Sequence, residues 1–237
     1  DALRDNTTGN ENTAVGSGAL IVNTTGSYNT SVGRGSLKAN TTGGNNSAVG
    51  YNALAANTTA SYGTAVGHQA LTTNTTGANN TGLGHQALYT NSTGSENTAV
   101  GRIALFANTT GTNNIAMGYG ALDANTTASY NIAIGRDALG ANTTGAYNVA
   151  VGSNAGDAIT TNSHNTFIGH NSGSATNGAN NNTAVGSASL HNNTSGASNV
   201  AVGYAALYEN TTASNNTAVG LSALYANTTG TSNTAVG

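Results

Sequence analysis

Glycine recurs every 17 residues without a slip, at Gly16, Gly33, Gly50, Gly67, Gly84, Gly101, Gly118, Gly135, Gly152, Gly169, Gly186, Gly203, Gly220 and Gly237. A spacing that tolerates no insertion over fourteen repeats makes each repeat one structural unit stacked on its neighbour. The residue before each glycine is aliphatic, from Val15, Val32 and Val49 to Leu83, Met117, Ile134, Ile168 and Val236. This column is expected to face a core. Four residues after most of the glycines comes a leucine, as in Leu20, Leu37, Leu54, Leu71, Leu88, Leu105, Leu122 and Leu139, usually preceded by alanine or serine. The repeat reads A-L-x-x-N-T-T-G-x-x-N-T-A-V-G-x-x.

Helix is a poor reading, because every repeat holds several Gly, Asn and Thr residues of low helix propensity. In N-T-A-V-G the alternation of Thr13, Ala14 and Val15 suits a short strand, and Gly16 permits a turn. A-L and N-T-T then form the remaining sides, with Asn and Gly expected in the left-handed corner conformations. The chain is therefore read as all-β, a β-solenoid (β-roll or β-helix) of about fourteen 17-residue turns, forming one uncapped array over 1–237. Stacked at about 4.8 Å per turn, fourteen turns span about 65 Å.

Leu plus Val, at about 1.5–3 kcal/mol each when buried, must oppose backbone ordering of about 1–2 kcal/mol per residue. Further stabilisation is expected from the backbone ladder, from stacked asparagines such as Asn12, Asn29 and Asn46, and from contacts with other chains. The small-residue column of Ala14, Ser31, Ala48, Ala65 and Gly82 has two readings, approach of another backbone or a narrow interior. Between Asn154 and Ala188 the pattern weakens: Gly156 and Gly173 replace leucine, Ile159 and Thr176 replace asparagine, and Phe167 replaces a small residue. Ile159 or Phe167 is expected to fill the lost volume, since a leucine-sized cavity costs about 2.7–5 kcal/mol.

Composition excludes several functions. Only 5% of residues are charged and the formal net charge is −3, so the basic field that nucleic acid needs is missing. Cysteine and proline are absent, no apolar run approaches membrane-spanning length, and no signal-peptide pattern or initiator Met precedes Asp1. The chain reads as mature or excised material. Among the five histidines only His68 and His85 share a column on neighbouring turns, with no third ligand in the pattern, and no calcium-binding repeat is present. No metal or other cofactor is expected. The hydroxyls recur at scaffold positions without a repeated histidine and acid beside them, so the chain is not read as an enzyme.

Tyrosines occupy variable positions, with Tyr208 and Tyr225, and Tyr89 and Phe106, placed to stack on neighbouring turns. Such rings suit sugars, partner fibres or one another. The most regular chemical signal is N-T-T. Asn6, Asn23, Asn40, Asn57, Asn74, Asn91, Asn108, Asn125, Asn142, Asn193, Asn210 and Asn227 each begin an N-x-S/T sequon, a candidate row of glycan acceptors. Thr160 and Thr161 persist where Ile159 has displaced asparagine, which argues that the threonines also have a structural task.

The unit from Asn97 to Gly111 resembles the repeats of phage and virus tail-fibre proteins and of long secreted repeat proteins. Its N-T-A-V-G-x-x-A portion is similar to the head repeats of trimeric autotransporter adhesins. The resemblance covers essentially the whole chain and implies a β-roll or β-solenoid in an exposed fibre, and in the adhesin heads a parallel trimer. The expected role is a segment of an extracellular filament, at a cell or virion surface, stacking end to end with lateral or trimeric association. The alternative is an adhesive or receptor-binding shaft that contacts glycans or other surface ligands. Ice binding by ordered threonines is a third reading, weakened because the adjacent threonines of N-T-T would point to opposite faces of a strand.

Overall fold

Each T-A-V-type segment forms a three-residue strand, and a computed structural model describes all of residues 1–237. The first six strands are β1 (Thr13–Val15), β2 (Thr30–Val32), β3 (Ser47–Val49), β4 (Thr64–Val66), β5 (Thr81–Leu83) and β6 (Thr98–Val100). The other eight are β7 (Ile115–Met117), β8 (Ile132–Ile134), β9 (Val149–Val151), β10 (Thr166–Ile168), β11 (Thr183–Val185), β12 (Val200–Val202), β13 (Thr217–Val219) and β14 (Thr234–Val236). The chain is an all-β parallel β-solenoid without helix.

By their contacts the residues fall into two compact units, Asp1–Asn114 and Ile115–Gly237. In a run of like turns each touches only its neighbours, so nothing ties distant turns into one cluster. Within the first unit β1 to β6 lie side by side in chain order, paired in parallel with equivalent residues opposite, as in Thr13 with Thr30 and Val15 with Val32. Within the second unit β7 to β14 do the same. The unvarying repeat length produces this register.

The column glycines are required by sterics. Their φ values run from +125° to +138°, and a Cβ on Gly16 would come 2.7 Å from the carbonyl carbon of Gly33 in the next turn. Any side chain there would push neighbouring turns apart.

The strands face the opposite way from the sequence expectation. Ala65, Ala99, Ala133 and Ala150 are fully buried, whereas Val66 is 41% exposed and Val49, Leu83, Met117, Ile134 and Ile168 are comparably open. The aliphatic column lies outside, together with the strand threonines. The reason is room: the leucine side chains fill the interior, and even a Cβ on Gly82 would meet Leu71 Cγ and Cδ1 at 3.3 Å. Only a small residue fits there. Of the two readings of the small-residue column, the narrow interior is the one observed.

The left-handed corners also depart from expectation. Gly18 and Asn52 take such a conformation, but so does the core leucine, with φ 50° at Leu20 and 48° at Leu37. A left-handed non-glycine residue costs about 1–2 kcal/mol, and burying a leucine returns about 1.5–3 kcal/mol. The corner is thus held by the side chain it turns inward. Leu20, Leu37, Leu54, Leu71 and Leu88 are all fully buried.

Between Asn154 and Ala188 the interior is rearranged without a break in the strand ladder. Phe167, the middle residue of β10, is fully buried, and it occupies the space that Gly156 and Gly173 vacate. A Cβ on Gly156 would come 2.7 Å from Phe167 Cδ2, and one on Gly173 would come 2.5 Å from Phe167 Cδ1. Phe167 is therefore the filler. Ile159, also fully buried, stands in the asparagine row instead.

Candidate functional site

Most constant positions of a turn are consumed by the fold, and the sequon asparagines show how completely. Ten of the twelve, Asn23, Asn40, Asn57, Asn74, Asn91, Asn108, Asn125, Asn142, Asn193 and Asn210, are buried, while Asn6 and Asn227 are half-buried. Asn57 Nδ2 donates to Asn40 Oδ1 at 2.7 Å and to the Ala60 carbonyl at 3.0 Å, and Asn57 Oδ1 accepts from Asn74 Nδ2 at 3.2 Å. The nitrogen that would carry a glycan is engaged inside the ladder. The first threonine of N-T-T is likewise structural: Thr24 Oγ1 donates to the Thr41 carbonyl at 3.0 Å and Thr58 Oγ1 to that of Thr75 at 3.1 Å. Where the asparagine is gone Thr160 still bonds to the next turn, donating to the Asn177 side-chain Oδ1 at 2.9 Å in place of a backbone carbonyl.

A second asparagine ladder runs beside the first. Asn46 Nδ2 donates to Asn29 Oδ1 at 3.1 Å and to the Ala60 carbonyl at 3.0 Å, and Asn29 Oδ1 also accepts the Asn46 backbone N–H at 3.0 Å. The expected stacking of Asn12, Asn29 and Asn46 is present. Ladders of this kind satisfy buried amides that would otherwise cost about 1–3 kcal/mol each.

What remains for function are the variable positions. All five cations fall in two of them: Arg34, Arg102 and Arg136 follow the column glycine, and Arg4 and Lys38 follow the core leucine. The first unit holds four cations and four carboxylates, the second one cation and four carboxylates, so the formal charge of −3 belongs to the second. There burial, followed by the nearby charge of Asp137, raises the Asp123 pKa. Burial is also the main cause of the raised pKa of Asp157.

Aromatic residues at these positions form stacks set by the strand spacing. Tyr51, His68 and His85 stack in sequence with ring centroids 5.1 and 5.2 Å apart. Tyr130, Tyr147 and His164 repeat the arrangement at 5.1 and 5.2 Å. Tyr89 and Phe106 lie 5.3 Å apart, and Tyr208 and Tyr225 5.1 Å. His68 and His85 are thus ring partners. No group of three or more metal-ligating side chains is brought together.

One cleft of about 340 Å³ opens in the first unit. Its floor is low because Gly18 stands where later turns carry Asn52, Gln69 and Gln86, and a Cβ on it would meet nothing within 4 Å, whereas the space beside Gly35 is taken by the Asn52 side chain. Arg34, Lys38 and Tyr51 line it together with Asn52, Ile21 and Asp1. The Arg34 guanidinium lies over the Tyr51 ring at 5.8 Å, and neither Arg34 nor Lys38 is paired with a carboxylate. Sequence reasoning passed over these residues. The signal was the coincidence of two glycines at one variable position with cations at the two flanking ones. No helix is long and apolar enough to cross a membrane. Comparison with family models and with curated proteins gives no match, so the geometry above carries the functional argument alone.

Proposed function

We propose that the chain is a structural segment of an extracellular fibre, at a cell or virion surface, which joins further copies by the same interface that joins its turns. The observation that carries this is the repeated turn-to-turn ladder. Backbone, asparagine and threonine donors of one turn meet the same acceptors on the next, as in Thr24 N–H to the Thr41 carbonyl at 2.9 Å and Thr41 N–H to that of Thr58 at 2.9 Å. An interface of this head-to-tail kind does not close on itself and continues as a filament. The resemblance of Asn97–Gly111 to tail-fibre and secreted repeats fits such a role. Electron microscopy of the purified chain over a range of concentrations tests it. Filaments that lengthen with concentration support the proposal, and particles of constant size at every concentration overturn it. Immunogold labelling of intact source cells or virions tests the location.

A second reading, an adhesive shaft, is favoured by a separate observation. The exposed stacks Tyr51–His68–His85 and Tyr130–Tyr147–His164 offer rows of ring edges that the core does not use.

A further inference from the structure

The cleft between Arg34, Lys38 and Tyr51 combines features that are rare in this molecule. Two of only five cations share it, neither is neutralised by an ion pair, and Tyr51 begins an aromatic stack that continues through His68 and His85. Its depth is written into the sequence by two successive glycines at a position where, of the later turns, only that of Gly120 also lacks a side chain.

We propose that this cleft binds an acidic saccharide, a sugar ring bearing a carboxylate or sulfate group. The guanidinium of Arg34 and the ammonium of Lys38 meet the anionic substituent, by charge-assisted hydrogen bonds that are about twice as strong as neutral ones. The edge of the Tyr51 ring, whose faces are taken by Arg34 and His68, and the Ile21 side chain supply apolar surface against the C–H face of the sugar. Asn52 and the Asp1 carboxylate offer polar groups for hydroxyls, which a bare inorganic anion would not use. A cleft of about 340 Å³ lies at the small end of ligand sites and fits one or two sugar rings. The side chains of the site take no part in the turn-to-turn asparagine ladders, while its backbone shares in the common ladder, as in Gly35 N–H to the Ser17 carbonyl at 3.0 Å, so ligand binding and fibre growth are tested separately.

Calorimetric titration of the purified chain with oligogalacturonate, neutral oligogalactan and sodium sulfate tests the assignment. Oligogalacturonate is expected to bind, and Arg34→Ala and Lys38→Ala each to weaken it about tenfold or more. Gly18→Asn is the sharper variant. It keeps both cations, suits the left-handed backbone at φ 74°, and places a side chain in the cleft, so binding is expected to vanish while the circular dichroism melt is unchanged. Should Gly18→Asn alter the melt, Tyr51→Ala takes its place, with the same expected loss. The proposal is overturned if oligogalacturonate does not bind, if its binding survives the cleft variant, if the neutral oligomer binds as well, or if sulfate alone binds as tightly.

Discussion

The turns around β4 and those around β10 solve one packing problem in two ways. Around β4 the interior is filled from the corner, by Leu54 and Leu71, and the strand contributes only the methyl of Ala65. Around β10 the corners are Gly156 and Gly173, and the strand contributes the ring of Phe167. The register of β9, β10 and β11 is the same in-step pairing seen elsewhere, so the backbone does not record the exchange. The difference teaches that the repeat conserves interior volume and strand ladder, while the element that supplies the volume is free to change.

The strongest test moves one solution into the other. Ala65→Phe alone places a ring against Leu54 and Leu71, where even a small group is crowded, and is expected to abolish the cooperative melt of the first unit. Overpacking by a few methylenes already costs about 1–3 kcal/mol, and a whole ring exceeds that. Adding Leu54→Gly and Leu71→Gly recreates the arrangement around Phe167 and should restore most of the stability. If the triple variant is no better than the single, the exchange between corner and strand is not the principle at work.

The reverse change is next in size. Phe167→Ala empties the interior of two turns and is expected to cost about 3–5 kcal/mol. Gly156→Leu with Gly173→Leu should recover much of it, because leucine tolerates this corner elsewhere at φ near 50°. Denaturant melts of the three proteins give the comparison. A Phe167→Ala cost below that of a single exposed substitution would show that the ring does not hold these turns together.

The two regions also differ in the asparagine ladder. Asn57 is bonded on both sides, but Asn142 Oδ1 has no partner because Ile159 stands where the next donor would be, and Thr176 Oγ1 is likewise unpaired. Asn57→Ala removes one buried donor set and leaves Asn40 Oδ1 and Asn74 Nδ2 short of a partner, for a cost of about 2–3 kcal/mol. Asn142→Ala should cost about 1 kcal/mol less, since one of its bonds is already missing. Equal costs would mean that the ladder adds nothing beyond local turn bonds. The same burial bears on modification: peptide mapping of native material is expected to find no sugar on the buried sequon asparagines, from Asn23 to Asn210. Added sugar mapped to these residues would show that modification precedes folding.

The unbroken glycine spacing made the solenoid, its turn length and the parallel register legible, and repeat position alone placed Tyr89 on Phe106 and Tyr208 on Tyr225. Substitution pattern made Phe167 legible as a filler, because the large residue appears just where two leucines disappear. Orientation of the strand was not legible. Alternation says that Ala65 and Val66 face opposite ways but leaves open which side is inside. Hydrophobicity points to the valine, and the volume of leucine residues far along the turn decides for the alanine. The sequons carry two meanings for a related reason: N-x-T is also the pattern of an inward amide followed by a hydroxyl that bonds to the next turn. The cleft was hidden because it arises from a missing side chain at Gly18 and from residues on four successive turns.

The smallest expected effect concerns the outer face that β4 and β10 have in common. Val66 and Ile168 are exposed to nearly the same degree, 41% and 39%, although the side chains behind them are alanine and phenylalanine. Val66→Asp and Ile168→Asp should therefore behave alike. Each loses some β propensity, on a scale that spans about 1 kcal/mol, and places a charge in water instead of in the core, so each melt should fall by no more than about 1 kcal/mol. A much larger loss in either would return that aliphatic column to the interior and reverse the strand orientation. If the chain assembles as proposed, repeating the pair under assembling conditions separates two further cases. If copies associate laterally through the aliphatic column, either charge should thin the bundles and leave single filaments growing. If growth itself stops, the column belongs to the end-to-end interface, and the ladder of asparagine and threonine is not sufficient to join one copy to the next.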